Sequence, residues 1–430
     1  MLKKLSVFAL AALLAASMAA CSGNNNSGSS SANSSQTAQT EAASTASADQ
    51  SGNTSTASSV KTTVNTSSNG KLDTADLFTE RDLTQNADLT GAKSYTLSDG
   101  KTITINAEGV YVITGTASNA SIVIEAADTD KVQLVLDNAN ITNSDSPAIY
   151  VKSADKVFVT TAEGTTNTLT VTGTFSADSE TNTDAVIFSK DDLVLNGLGT
   201  LNIKSSDNAI SCKDDLKVTG GTINIECTSD GLEANDSVSI ADGNITITTG
   251  KDGIHSENDE DASQGSVYIC GGTITVNADS DAIQGTTVVQ IDDGNLTLSG
   301  SEGIEATYVQ INGGTINISA SDDGINGSNK SNAYSTTVEI NGGDITIVMG
   351  QGDTDGIDSN GDLYIHGGTV DITGQSTCDY DGKAEKTGGT LIINGTETDT
   401  IPNQMMGGGP GGMGGGMQPG GDRPGGNFGF

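Results

Sequence analysis

The sequence predicts an all-β chain wound as a parallel β-helix, with about 22 residues per coil and roughly twelve coils. Three observations predict it. A Gly followed by Thr, Asn or Asp recurs from Gly199-Thr200 to Gly389-Thr390, at intervals of 22, 22, 29, 22, 20, 29, 25 and 21 residues. Each such turn opens a run with alternating apolar residues, as in Ile223/Ile225, Ile245/Ile247 and Ile316/Ile318. That period of two marks a strand with one buried side. Eight residues after Thr222, Asn244, Thr273 and Thr315 comes a third feature, an Asp-Gly-Ile-like corner. A further short strand, such as Val238-Ser239-Ile240, closes each unit.

The composition fits a thin stacked core. Only 34% of the 430 residues are hydrophobic and 3% aromatic, with no Trp, which is too lean for a large rounded core. Gly numbers 55 but Pro only 5, which excludes collagen. The net charge of −36 excludes nucleic acid as a partner, because phosphate neutralisation needs a basic surface. Such a chain attracts cations instead.

The N-terminal stretch reads as a leader. Lys3 and Lys4 precede an apolar run from Leu5 to Leu14, then small residues up to Ala20. This predicts a signal peptide over residues 1–20, too short to span a bilayer permanently. Cys21 follows directly, which resembles a bacterial lipoprotein box and implies a lipid on Cys21. Residues 21–72 are rich in Ser, Thr and Asn and predict a disordered tether. The β-helix is expected over residues 73–402, and a disordered Gly/Met/Pro-rich tail over 403–430. The expected location is the extracellular face of the cell membrane, held by lipid alone, and the chain is expected to be a monomer.

Two columns of polar residues carry the chemistry. Asp230, Asp252, Asp281, Glu302, Asp323 and Asp355 occupy one phase of six consecutive coils. Stacked about 4.8 Å apart, such charges repel by roughly 1 kcal/mol per pair in water. Backbone hydrogen bonds, raised pKa values or bound cations must offset this. Each Asp alone is also explained as a cap on its own turn. Three residues on stand Glu233, His255, Gln284, Glu305, Asn326 and Asp358, read as pointing outward. Between the columns runs Gly231, Gly253, Ala282, Gly303, Gly324 and Gly356. That stripe is expected to form a groove, or else to serve the bend alone.

Calcium is the cation expected, since it takes six to eight oxygens from carboxylates, amides and backbone. The densest cluster runs from Asp353 to Asp362 and includes Asp355 and Asp358. It lacks the terminal bidentate Glu of an EF-hand. Glu257 to Asp261 is a second acidic run, equally explained as a solvated loop. The step from the Asp corner to the next opening strand is 14 residues at Asp230, Asp281 and Asp355, but 21 at Asp252 and Asp323. Both seven-residue insertions fall between the second and third strands, so they emerge on one side. Glu233, His255, Gln284, Glu305 and Asn326 are the expected polysaccharide contacts, with Tyr308, Tyr334 and Tyr364 as the aromatic ones. Cys212, Cys227, Cys270 and Cys378 have no zinc spacing and read as buried free thiols.

The lipoprotein-like start, the Gly-Gly-Thr openings, the Asp-Gly-Ile corners and the Gly/Met tail resemble the carbohydrate-binding-domain family of clostridial surface β-helix proteins. The resemblance covers about residues 73–400. It implies a right-handed parallel β-helix shaped like pectate lyases, with bound calcium. It also implies binding of cellulose or acidic plant polysaccharide without cleavage. A polysaccharide lyase is the alternative, and an adhesin or structural stalk a third reading. β-Elimination needs a base beside calcium, commonly Arg in that fold. No Arg lies between Leu83 and Thr400, and Lys251 is the nearest substitute.

Overall fold

Equivalent strands pair in parallel because their apolar residues stack in register. In the opening strands, Ile223 lies beside Ile245, followed by Ile274, Leu296, Ile316, Ile345, Val370 and Leu391. None of these is more than 2% exposed. Each fully buried side chain of this kind contributes about 2 kcal/mol. The computed structural model describes residues 60–64, 70–177, 181–351 and 354–404. All of them belong to one unit, Ala57–Phe430. Cys21, Asp353 and the Gly/Met tail beyond residue 404 lie outside the described residues.

Among the described residues there are strands and turns but no helix. Each strand pairs in parallel with the equivalent strand one turn of the chain later. Eleven such pairings link twelve opening strands, from Gly115–Ser118 to Thr390–Ile393. A second column of strands carries the corners, for example Leu232–Ala234, Ile254–Ser256 and Ile325–Gly327. A third column, for example Ser237–Ile240 and Thr337–Ile340, completes each turn. At the C-terminal end Thr396–Thr398 folds back antiparallel on Leu391–Ile393 and covers that edge.

Glycine has two separate jobs. At the turn before most opening strands it adopts a left-handed conformation, as at Gly314 with φ 89°, whereas Asn138 with φ 54° takes that place before Ala139. The corner stripe differs, and here the expected groove is corrected. Gly231, Gly253, Gly303, Gly324 and Gly356 are buried, and none of them has a positive φ. A Cβ on Gly324 would stand 2.4 Å from the Gly356 carbonyl oxygen and 2.5 Å from Ile347 Cγ2. The stripe therefore packs against the core and lets adjacent coils close. Gly324→Ala is expected to cost about 2–3 kcal/mol by overpacking. Chemical denaturation of the two proteins would measure it, and an unchanged midpoint would contradict the packing assignment.

The N-terminal segment engages the coils earlier than residue 73. Val64, Leu72, Leu77, Phe78 and Leu83 pack against Ala241, Tyr268 and Cys270. The backbone N–H groups of Lys71 and Leu72 donate to Gln310 and Gln290, each at 2.7 Å. Thr62 donates its hydroxyl to the Thr219 carbonyl at 2.6 Å. Residues 60–64 and 70–85 thus form a strap over the third strands.

The four described cysteines are buried thiols. Burial pushes the Cys227 thiol up to about 11 and the Cys378 thiol up to about 12. Both are therefore inert thiols at neutral pH.

Candidate functional site

The second strands bring one outward position of every coil into a line. Glu233 stands beside His255, then come Gln284, Glu305, Asn326, Asp358 and Asp379. The line is less exposed than its period suggests. Glu305 is 7% and Asn326 8% exposed, because the second insertion folds over them. Lys330 of that insertion holds Glu305 Oε2 at 2.6 Å, and Ser328 donates to Glu305 Oε1 at 2.7 Å. Gln284 also donates to Glu305, at 3.1 Å.

The corner acids form a ladder between coils. Asp230 Oδ1 accepts the Asp252 N–H at 3.0 Å, and Asp252 Oδ1 accepts that of Asp281 at 2.9 Å. Asp323 Oδ1 accepts the Asp355 N–H at 3.1 Å. Each of these carboxylates thus caps the next coil rather than its own turn. One oxygen is committed to the fold and the other is left for chemistry.

Burial first, and mutual repulsion second, show in the carboxyl groups themselves. Burial, then Asp252 and Glu305, pushes Asp281 up to about 7. Burial, then Glu305 and Asp281, pushes Glu302 up to about 8. Burial raises Asp323 to about 7, against the lowering effect of its backbone bond. Burial and then Asp379 raise Asp358 to about 6. Asp230 is also raised, chiefly by burial.

Among the described residues, two groups of three side chains offer ligand atoms within 4.8 Å of one another. One is Asp230, Asp252 and His255, and the other is Asp281, Glu302 and Glu305. The first includes a ring nitrogen, which suits a transition metal better than calcium. The second is all oxygen, which suits calcium. Two buried atoms beside it have no hydrogen-bond partner, Glu302 Oε2 and Asn326 Oδ1. Asn326 Nδ2 donates to Glu302 Oε1 at 3.3 Å, so the amide is directed at the cluster. The donor set therefore fits a hard divalent ion. Neither group contains Asp355, Asp358 or Asp362.

The expected calcium loop around Asp353–Asp362 is corrected in part. Asp362 begins a third strand, where its carboxylate accepts the Lys383 N–H at 2.8 Å and the Tyr364 hydroxyl at 2.7 Å. It serves the backbone there. Asp355 accepts a hydrogen bond from Ser376.

Beside the line of outward residues opens a cleft of about 660 Å³. Lys213, Glu233, Asp236, His255, Glu257 and Asp261 contribute to its lining, and no aromatic side chain does so among the described residues. The first insertion is its wall. Asn258 anchors that wall by donating to Asp236 at 2.6 Å. The second insertion buttresses it, since Ser331 donates to the Ala262 carbonyl at 2.6 Å. The two insertions meet, as their common phase in the repeat predicts. His255 borders both the cleft and the first acidic group. Its Nδ1 is 3.8 Å from Asp252 and its Nε2 3.5 Å from Glu257, and neither nitrogen is hydrogen-bonded.

The aromatic contacts are placed differently. The Tyr308 hydroxyl donates to Glu339 at 2.6 Å, and its ring meets Tyr334 edge-on at 6.3 Å. Lys71 of the strap sits over both rings. Tyr308 and Tyr334 therefore seat the strap and are not a free stacking platform. Tyr364 stacks on His366 at 5.7 Å in the third-strand column, away from the cleft lining. Lys330 and Lys213 were not singled out from the sequence. The signal available was that a chain of 19 basic residues places a lone Lys inside each of these acidic surroundings.

A family profile described as "Carbohydrate-binding domain-containing protein" matches residues 99–353 and 299–404. The chain belongs to this carbohydrate-binding-domain family. A carbohydrate-binding domain-containing protein of Acetivibrio thermocellus is 38% identical over 122 residues, 28% of this chain. The chain spans 43% of that relative's length. A solved structure, a polysaccharide lyase-like protein from C. thermocellum in a gadolinium derivative, is 32% identical with a TM-score of 0.46. The match covers 52% of this chain and 93% of that one. In this carbohydrate-binding-domain member, both acidic groups, the cleft and both insertions fall inside the matched residues.

Proposed function

We propose that this protein is a right-handed parallel β-helix that binds polysaccharide at the cell surface through calcium, without cleaving it. The observation that carries the reading is the all-oxygen group Asp281, Glu302 and Glu305, which lies on the coils that follow the cleft. An acidic wall and an acidic polymer repel each other. A divalent ion held by both removes the repulsion, and its carboxylate ligands need not come from one molecule. The two acidic groups lie on adjacent pairs of coils, about 10 Å apart by strand spacing. A chain of uronate residues laid along the coils meets both. Acidic plant polysaccharide is the ligand this surface suits, with cellulose the neutral alternative.

A non-catalytic role is supported by the cleft chemistry. The strongly raised acids, Asp281 and Glu302, do not line the cleft. Arg81 lies in the strap, over the Phe158 ring, and not beside the carboxylates. Incubation with polygalacturonate should therefore yield no ultraviolet-absorbing unsaturated uronate, and its appearance would favour the lyase reading.

Surface attachment rests on Cys21. The expected result is that intact protein partitions into the detergent phase and Cys21→Ala does not. A wild type that is freely soluble and unmodified would reject the lipid anchor.

A further inference from the structure

We infer that Lys330 is a built-in substitute for the cation, and that a divalent ion entering the group of Asp281, Glu302 and Glu305 displaces it and releases the second insertion from the cleft wall. The inference rests on the calcium reading above and adds a regulatory step to it. The segment from Ser328 to Ser335, which contains the second insertion, carries a single charge, Lys330. That charge is spent on Glu305, at 2.6 Å, within the one all-oxygen group among the described residues. An ammonium supplies one charge and at most three donors. A calcium ion supplies two and draws in six to eight oxygens.

The site asks for more than the ammonium gives. Asn326 is 8% exposed, is directed at Glu302, and leaves Oδ1 without a partner. Glu302 Oε2 is likewise unpartnered. Lys330 satisfies neither atom, since its ammonium is bonded to Glu305. An ion at the centre of the group would engage both. Lys330 and the ion therefore compete for Glu305.

Displacement has a path to the cleft. With Lys330 seated, its own N–H and that of Ser331 donate to Thr307 Oγ1 at 3.2 and 2.8 Å. Ser331 then reaches the Ala262 carbonyl in the wall. Without the ion pair, the insertion loses its one charged tie, and the hydrogen bonds of Ser328, Lys330 and Ser331 and the ring contact of Tyr334 with Tyr308 remain. Each hydrogen bond is worth only about 1 kcal/mol net. Loading the ion thus loosens the buttress as it creates the bridging charge, so that the wall opens when the cation needed by the ligand is present.

The test is calcium titration of the full chain, wild type against Lys330→Met, with amide hydrogen exchange at residues 330 and 331. Removing the competitor should tighten calcium binding about tenfold, as for a site freed from a nine-tenths closed state. Lys330→Arg, which keeps the charge, should bind like wild type. Calcium should speed exchange of the two amides in wild type, and Lys330→Met should exchange fast without it. Equal calcium affinity in wild type and Lys330→Met, or amides that slow when calcium binds, would overturn the latch while leaving the calcium site standing. No calcium binding in any of the three proteins would overturn the calcium reading and the latch together.

Discussion

Asp82→Ala is expected to destabilise the strap by about 3 kcal/mol, the cost of breaking a buried ion pair from one side. Asp82 is 0% exposed. Its carboxylate lies 3.7 Å from Lys156 and 3.9 Å from Lys217, both buried. Burial, then the neighbouring Lys156, already lowers the Lys217 pKa. Without Asp82 two ammonium groups would face each other under Leu77 and Leu83. Lys156 retains Asp192 at 3.2 Å, and Lys217 retains the Leu77 carbonyl at 2.7 Å, but neither partner neutralises both cations. Limited proteolysis would read the effect. The expected outcome is cleavage within residues 60–85 at protease levels that leave wild type intact. Equal resistance of the two proteins would show that apolar contact alone holds the strap.

The second large effect is a dependence of stability on pH that calcium removes. Asp281, Glu302 and Asp323 have folded-state pKa values of about 7, 8 and 7. An unfolded carboxylate titrates near 4. Between those values the folded protein binds more protons than the unfolded one. Stability must then fall as pH rises from about 5 to about 8, the reverse of an ordinary salt-bridged acid. After solvent screening the loss is on the order of 3 kcal/mol, or several degrees in melting temperature. If the group takes calcium as proposed, the ion binds only the ionised, folded form, so it should restore the loss at pH 8 and do little at pH 5. Calorimetric scans of metal-free and calcium-loaded protein at both pH values would check this. A metal-free melting temperature that stays level or rises over that interval would contradict it.

The repeating parallel strands were legible because each repeat makes the same physical demand. Ile223 and its seven successors stack directly, so a period of two inside a period of 22 is written into the chain. The insertions were legible too, since extra residues at a fixed phase emerge at a fixed corner. Three features were hidden. Gly324 and its equivalents leave no side chain to show a direction, so an inward stripe and an outward groove read alike. The strap has no repeat, and its few apolar residues gain meaning only when Tyr268 and Cys270 are known to lie beneath them. Lys330 looks like any polar loop residue until the second strand places Glu305 below it. Contacts between residues of unlike phase leave no period behind.

Titration of polygalacturonate into the full chain, with calcium and again with chelator, separates a calcium bridge from direct contact with the protein. Saturable binding with calcium, weakened at least tenfold by chelator and likewise by the triple change Asp281→Asn, Glu302→Gln and Glu305→Gln, is the predicted result. Binding that is equally tight in chelator and in the triple variant would contradict the calcium bridge.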